Sequence, residues 1–170
     1  MNTRLLTLSL IIFSIAMFRL LPHPPNVSPV AAMALFGGAY FSDKRVAFLV
    51  PFLALLLSDL LLGLHDTMIY VYGGFALTVI IGFWIRKNLN ISRVALAAVG
   101  SSVLFFIVTN FGAWVTSGLY PMTLDGLMQA YVAAIPFFQN SLLGNLVFTA
   151  LLFGGYAALQ RNVSSLAENA

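Results

Sequence analysis

The sequence has 170 residues, of which 61% are hydrophobic and only 8% charged, and its mean hydropathy is +0.97. A soluble domain carries about 25% charged residues, so this composition excludes a water-soluble enzyme or nucleic-acid binder. The net charge of +3 reflects eight cations spread along the chain, too few for a basic nucleic-acid-binding face. Cysteine is absent, which excludes disulfides and thiolate metal sites. The expected class is an integral membrane protein.

In chain order, the apolar runs predict an all-α polytopic bundle with six transmembrane helices. A spanning helix needs about 20 mostly apolar residues. The first run has the length of a signal peptide, but Phe18-Arg19-Leu20-Leu21 offers no small-residue cleavage site. We therefore predict one integral membrane domain, 1–170, with spans at 5–21, 27–41, 46–64, 68–85, 94–119 and 137–159.

A separate amphipathic helix is predicted over 123–135, immediately before the last span. Its apolar residues are spaced three or four apart, which places them on one face of a helix. Such a helix lies on a membrane surface or packs over the bundle, and we expect Pro136 to end it. The residues that form this face are Leu124, Leu127, Met128, Tyr131 and Ile135.

The cations predict the orientation of the chain. Cytoplasmic loops of membrane proteins carry an excess of Lys and Arg. With a cytoplasmic N-terminus, only Arg19 of the eight cations falls on the outer side. Both termini are then cytoplasmic, which requires an even number of spans. The cations predicted to be cytoplasmic are Arg4, Lys44, Arg45, Arg86, Lys87, Arg93 and Arg161.

With this orientation, most polar side chains within the spans lie in the outer half of the bundle. A charge or amide inside a membrane is costly unless it is paired or hydrated, so such groups are candidates for a binding site. Simpler interpretations remain open: Arg19 reaches the outer surface, Asp59 caps a helix end, and the asparagines join helices by hydrogen bonds. The candidate substrate-binding residues are Asp59, Asn110, Trp114, Asn140, Asn145, Arg19, His23 and Asn26.

Small residues form a second pattern. Ala31, Ala34 and Gly38 share one face of the second predicted span, and faces of this kind let helices approach closely. They serve either packing within the chain or contact with a membrane partner, and we take them as the candidate partner interface.

The sequence contains no motif of a known enzyme class. It lacks G-x-S-x-G, a phosphate-binding P-loop and H-E-x-x-H, so we expect no catalytic residue, metal or cofactor. It also encodes no ATPase, so energised transport would need partner subunits.

Two stretches resemble the substrate-binding S components of energy-coupling-factor vitamin transporters. They are Asn26-Val27-Ser28-Pro29-Val30-Ala31-Ala32-Met33-Ala34-Leu35-Phe36-Gly37-Gly38, a short helix after a proline-rich loop, and Leu57-Ser58-Asp59-Leu60-Leu61-Leu62-Gly63. The resemblance implies a small protein of a bacterial cytoplasmic (inner) membrane, with six helices and both termini cytoplasmic. It also implies an outward-facing pocket, with a coupling subunit and ATPases as partners.

The Pro-His-Pro-Pro-Asn loop and the stretch from Ala134 to Asn145 more narrowly resemble an uncharacterised family of small bacterial membrane proteins. We therefore expect a substrate-binding membrane subunit for uptake of a vitamin-like or other small solute, with the loop at 22–28 as its gate. The alternative is a non-catalytic scaffold similar to small cell-shape proteins. A third interpretation is an intramembrane enzyme or ion path at Asp59 and Arg19.

Overall fold

The computed structural model describes residues 3–163 and 166, and every regular element among them is helical. Residues 1–2, 164–165 and 167–170 of the predicted domain lie outside the described residues. Five helices are long and apolar enough, by length and composition, to cross a membrane. The helices are α1 (Thr3–Ala16, continued by a 3₁₀ turn at Met17–Leu20), α2 (Val30–Tyr40), α3 (Lys44–Leu62), α4 (Met68–Ile85), α5 (Ile91–Thr116) and α6 (Leu124–Asn162).

The outer surface of the bundle is apolar. Large side chains such as Leu61, Ile69 and Ile91 are at least 71% exposed. Soluble monomers rarely expose contiguous apolar surface of this kind, whereas hydrocarbon solvates it without cost. The all-helical, membrane-type architecture expected from the sequence is therefore confirmed.

The second predicted span, 27–41, is corrected by the structure. Only Val30–Tyr40 is helical, and at a rise of about 1.5 Å per residue these 11 residues cover about 16 Å, half of the hydrocarbon thickness. All of them are buried. The segment is a short helix enclosed by the others, and residues 21–29 reach it as a mostly non-helical connection.

Glycines let α2 lie directly against α4. A Cβ on Gly38 would collide with the Val79 carbonyl and lie 2.9 Å from the Gly82 Cα. Conversely, a Cβ on Gly82 would lie 2.7 Å from the Gly38 Cα. The two backbones therefore touch at a point where neither helix has room for a side chain.

This packing also corrects the expected partner interface. Ala31, Ala34 and Gly38 are all buried within the chain, and Gly38 faces α4. The small-residue face therefore packs inside the molecule and presents no surface to a partner, as in the intramolecular alternative that the sequence left open.

The C-terminal end of α2 is capped by arginines. The last carbonyls of a helix have no partner within it, and in an apolar interior they require one. Arg86 donates to the Gly38 carbonyl at 2.8 and 3.1 Å and to the Ser42 carbonyl at 3.1 Å. Arg4 donates to the Tyr40 carbonyl at 3.1 Å. These cations also complement the negative end of the helix dipole.

The prediction of a separate surface helix over 123–135 is wrong, because Leu124–Asn162 is one continuous helix with Pro136 inside it. Proline removes one intrahelical hydrogen bond, but in an apolar bundle the neighbouring backbone groups have no better partner than the helix itself. Tyr131 also ties the first part of α6 to α5, since its hydroxyl donates to the Ile107 carbonyl at 2.7 Å. At about 58 Å, these 39 residues exceed the thickness of a bilayer core.

Successive helices run in alternate directions between two ends of the bundle, which we name by their arginines. At the Arg86 end, Arg4 and Arg86 meet the end of α2. At the Arg19 end, the 3₁₀ turn after α1 meets the end of α3, where Arg19 contacts Asp59. The start of α2 and the turn before α4 also lie at the Arg19 end.

The Gly38–Gly82 contact predicts a selective packing defect. We expect Gly38→Ala to lower the free energy of unfolding by about 1–3 kcal/mol, the usual cost of overpacking. Gly73→Ala on α4 is the matched control, because a Cβ there meets nothing within 4 Å and removing a helical glycine stabilises by up to about 1 kcal/mol. Thermal unfolding of the purified variants in detergent measures both, and equal midpoints would contradict the prediction.

Candidate functional site

A cavity of about 290 Å³ lies between the helices at the Arg19 end. Its wall comes from the 3₁₀ turn after α1, the connection before α2, the first turn of α2, the α3–α4 turn, the first turn of α4, and the middle of α5 and α6. Binding pockets for small molecules range from about 300 to 1,000 Å³, so this cavity is at the small end of that range. Its lining residues are Arg19, Asn26, Ser28, Val30, Ala31, His65, Val71, Ser102, Phe105, Phe106, Thr109, Asn110, Ala134, Phe137, Phe138, Ser141 and Asn145.

Arg19 supplies the cavity with a charge that is already paired. Its Nη2 lies 2.7 Å from the Asp59 Oδ1, and Asp59 is 1% exposed. The same guanidinium donates to the Ser58 hydroxyl and to the Leu55 carbonyl. These three acceptors, on Asp59, Ser58 and Leu55, lie on one face of α3 near its C-terminal end. Arg19 therefore holds the end of α1 against α3 at the wall of the cavity.

The second oxygen of Asp59 is also satisfied. The Tyr72 hydroxyl donates to the Asp59 Oδ2 at 2.9 Å, which joins α4 to the Arg19–Asp59 pair. A buried charge is tolerated when it is paired and its remaining lone pairs are hydrogen-bonded. Asp59 therefore supports the wall from behind, and Arg19 is the member of the pair that reaches the cavity.

Asn145 forms a polar cluster with residues of α5, deep in the bundle beside the cavity. Its Nδ2 donates to the Ala98 carbonyl at 2.8 Å, the Ser102 hydroxyl at 2.8 Å and the Ser101 hydroxyl at 3.2 Å. Asn145 is 2% exposed, and its Oδ1 has no hydrogen-bond partner among the described residues. The cluster thus uses the donor half of the amide and leaves the acceptor half unpaired.

The connection before α2 is held against α6. Asn140 donates from Nδ2 to the Pro25 carbonyl at 3.1 Å. One helical turn further on, a Cβ on Gly144 would lie 3.2 Å from the Val27 Cα, so the missing side chain makes room for the connection. Asn26 has a φ of 62°, a left-handed conformation that asparagine tolerates better than most residues. This geometry brings Asn26 and Ser28 to the cavity wall.

Four of the predicted binding residues line the cavity and four do not. Arg19, Asn26, Asn110 and Asn145 contribute to its wall. The others are placed behind or beside it: Asp59 pairs with Arg19, Asn140 holds the Pro25 carbonyl, Trp114 donates from Nε1 to the Pro121 carbonyl at 3.0 Å, and His23 stacks on Phe18.

Sequence reasoning missed most of the neutral lining. Ser102 and Thr109 lie seven residues apart on α5, with Phe105 and Phe106 between them. Residues spaced by three, four and seven share a helix face. A search for hydroxyl and phenylalanine residues at this spacing would have found the stripe, which α6 repeats at Ala134, Phe137, Phe138, Ser141 and Asn145.

His65 is a further lining residue that was not among those predicted from the sequence. In the structure it lines the cavity from the turn between α3 and α4, and its Nδ1 lies 2.8 Å from the Thr67 hydroxyl. No periodic signal marks a residue in a turn, so the sequence alone had no means of placing it.

A family model described as "Family of unknown function (DUF6580)" matches residues 1–166. The chain belongs to this family. No curated protein and no solved structure shows significant similarity to the chain. Family membership thus covers nearly the whole chain and assigns it no activity.

The Arg19–Asp59 pair predicts a characteristic pattern in a double-mutant cycle. We expect Arg19→Met or Asp59→Leu alone to destabilise the protein by about 3–5 kcal/mol, because each leaves an uncompensated buried charge. The double variant removes both charges, and we expect its thermal midpoint to exceed that of either single variant. Unfolding in detergent tests this, and additive losses in the double variant would contradict a direct pairing.

Proposed function

We propose that this protein is a membrane protein that binds a small solute in the cavity at the Arg19 end, as the substrate-binding part of an uptake system. The observation that carries the proposal is the cavity itself. Its polar and aromatic wall draws on the end of α1 and on α2, α4, α5 and α6, and α3 supports it through Asp59. Apolar walls with a few convergent polar groups are typical of small-molecule pockets.

We further propose that the Arg19 end faces outward and that both termini are cytoplasmic. The distribution of cations supports this orientation, because seven of the eight fall at or near the Arg86 end in chain order and cytoplasmic loops are enriched in Lys and Arg. The cavity then opens toward the outer side of a bacterial inner membrane, the side from which an imported solute arrives.

Energy for release would come from partner subunits. The sequence has no phosphate-binding P-loop, so we propose a membrane coupling subunit and ATPases encoded elsewhere, as the resemblance to energy-coupling-factor S components implies. The buried face formed by Ala31, Ala34 and Gly38 is no longer a candidate for this contact, and the lipid-facing surfaces of the long helices are the available ones.

Native mass spectrometry of the gently purified protein tests the proposal. We expect a discrete small-molecule mass on the wild-type protein, lost in Ala134→Phe, because a phenyl group there would project from the wall and take up part of the cavity. Ala133→Phe is the matched control, since Ala133 is an exposed neighbour on the same helix and does not line the cavity. We expect the control to keep the bound mass.

Two results would contradict the proposal. The first is a protein that is empty in both the wild-type and control forms and copurifies with cell-wall or other membrane proteins, as the scaffold alternative requires. The second is a bound mass that Ala134→Phe and Ala133→Phe retain equally, since the molecule would then lie outside the cavity.

A further inference from the structure

The long helices form a ring around α2, and this ring is open at one place. The central α2 contacts all five of them, and around it α1 packs on α3, α3 on α4, α4 on α5 and α5 on α6. Contact between α6 and α1 would close the ring, but their described backbones hardly approach each other. A groove of about 410 Å³ lies between these two helices. We call it the α1–α6 groove, and its lining residues are Thr7, Leu10, Ile11, Ser14, Ile15, Leu151 and Leu152.

The α1–α6 groove belongs to the lipid-facing surface and is mostly apolar. Five of its seven lining residues are Leu or Ile, and Leu10 and Leu151 are 57% and 58% exposed. Behind the groove, Leu8 and Ile12 of α1 are buried in the core, so the groove does not lead into the bundle. The apolar surface therefore contains a recess that the described side chains leave unfilled.

The depth of the groove matches one leaflet of a membrane. The rise from Thr7 to Ile15 is about 12 Å, and half of the hydrocarbon core is about 15 Å. Toward the Arg19 end the groove is closed, because the rings of Phe18 and Phe148 meet edge to face with their centroids 4.8 Å apart. A transmembrane helix about 10–12 Å wide has no room between these rings, whereas a lipid acyl chain ends near the middle of the membrane.

The charge at the open end of the groove favours an anionic head group. Among the described residues, the Arg86 end carries seven Lys and Arg residues against one acidic residue, Asp43, whereas the Arg19 end carries three aspartates against Arg19. Each helix of the groove has an arginine at the Arg86 end: Arg4 lies one turn before Thr7, and Arg161 lies in the last turn of α6. Basic residues beside a membrane surface attract anionic lipids.

We infer that the α1–α6 groove is a binding site for one anionic phospholipid, with an acyl chain along α1 and the head group at the Arg86 end. The lipid bridges α1 and α6 and so completes the ring around α2. This inference goes beyond the proposed function and does not depend on it, since it requires neither a solute nor a partner subunit. It agrees with a cytoplasmic Arg86 end, because anionic lipids give the cytoplasmic leaflet its negative surface potential.

Native mass spectrometry of the full-length protein, released from lipid nanodiscs, tests the inference. The nanodiscs contain equal amounts of phosphatidylglycerol and phosphatidylcholine with identical acyl chains. We expect the wild-type protein to retain one phosphatidylglycerol in at least about fivefold preference over phosphatidylcholine, the factor that one basic residue near the head group contributes.

Variants that narrow the groove test its location. We expect Ser14→Phe to lose the retained lipid, because a phenyl group there would project into the groove. Ala95→Phe is the matched control, since Ala95 is an exposed residue of α5 that does not line the groove, and we expect it to keep the lipid. Should Ser14→Phe fail to fold, Leu151→Trp and Leu143→Trp form a second pair: both are exposed leucines of α6, and only Leu151 lines the groove.

Charge variants test the position of the head group. We expect Arg161→Gln to lower the preference for phosphatidylglycerol by about fivefold. Arg93→Gln is the matched control, because Arg93 lies in the first turn of α5 at the same end of the bundle, and α5 does not line the groove. An equal loss in both variants would contradict the inference, since the preference would then follow the charge of the whole end.

Three further results would overturn the inference. Equal retention of the two lipids by the wild-type protein would remove the head-group preference. Equal retention of phosphatidylglycerol by Ser14→Phe and Ala95→Phe would place the lipid outside the groove. A copurified membrane protein that Ser14→Phe releases, with no lipid retained by the wild-type protein, would assign the groove to a partner helix. The cavity is tested separately by Ala134→Phe, so this inference and the proposed function fail on different measurements.

Discussion

The structure depends on one constraint, which is the burial of a short helix in the middle of the bundle. All residues of α2 are buried, so its backbone ends lie where water is scarce and each needs a partner from the protein. Arg86 and Arg4 supply the partners at its C-terminal end. Gly38 and Gly82 allow α4 to approach closely enough to enclose it.

The cavity is a consequence of the same short helix. Because α2 covers only about half of the hydrocarbon thickness, the space on the N-terminal side of its first turn is occupied by the non-helical connection at 21–29. Ser28 of this connection borders the cavity, together with Val30 and Ala31 of the first turn of α2. Asn140 and Gly144 of α6 hold the connection in place, so the cavity has a defined wall.

Composition and apolar runs were enough to predict an all-helical, membrane-type bundle, because both depend on residue averages. The short α2 and the continuous α6 were missed because they are set by tertiary context. A run such as 27–41 looks the same whether lipid or protein surrounds it, and Pro136 ends helices only where its neighbours find other hydrogen-bond partners. Of the site, Arg19, Asn26, Asn110 and Asn145 were identifiable as polar groups in apolar segments. The phenylalanine and hydroxyl residues were missed because each is ordinary in such helices, and only their shared spacing of three, four and seven marks them as one face.

The sequence alone left open whether the asparagines join helices or bind a ligand, and the contacts of Asn145 bear on that choice. If an asparagine serves only to join helices, both its amide nitrogen and its amide oxygen are expected to be hydrogen-bonded. Here Nδ2 is saturated by α5, whereas the Oδ1 is buried without a partner. An apolar side chain would leave no unpaired acceptor, so helix packing accounts for only half of this amide. Asn110 differs, because its Nδ2 donates to the Phe106 carbonyl of its own helix at 2.8 Å. Asn145 thus differs from Asn110 in joining two helices through its Nδ2, and its buried Oδ1 shares the lack of a hydrogen-bond partner among the described residues with the buried Thr149 hydroxyl one turn further along α6.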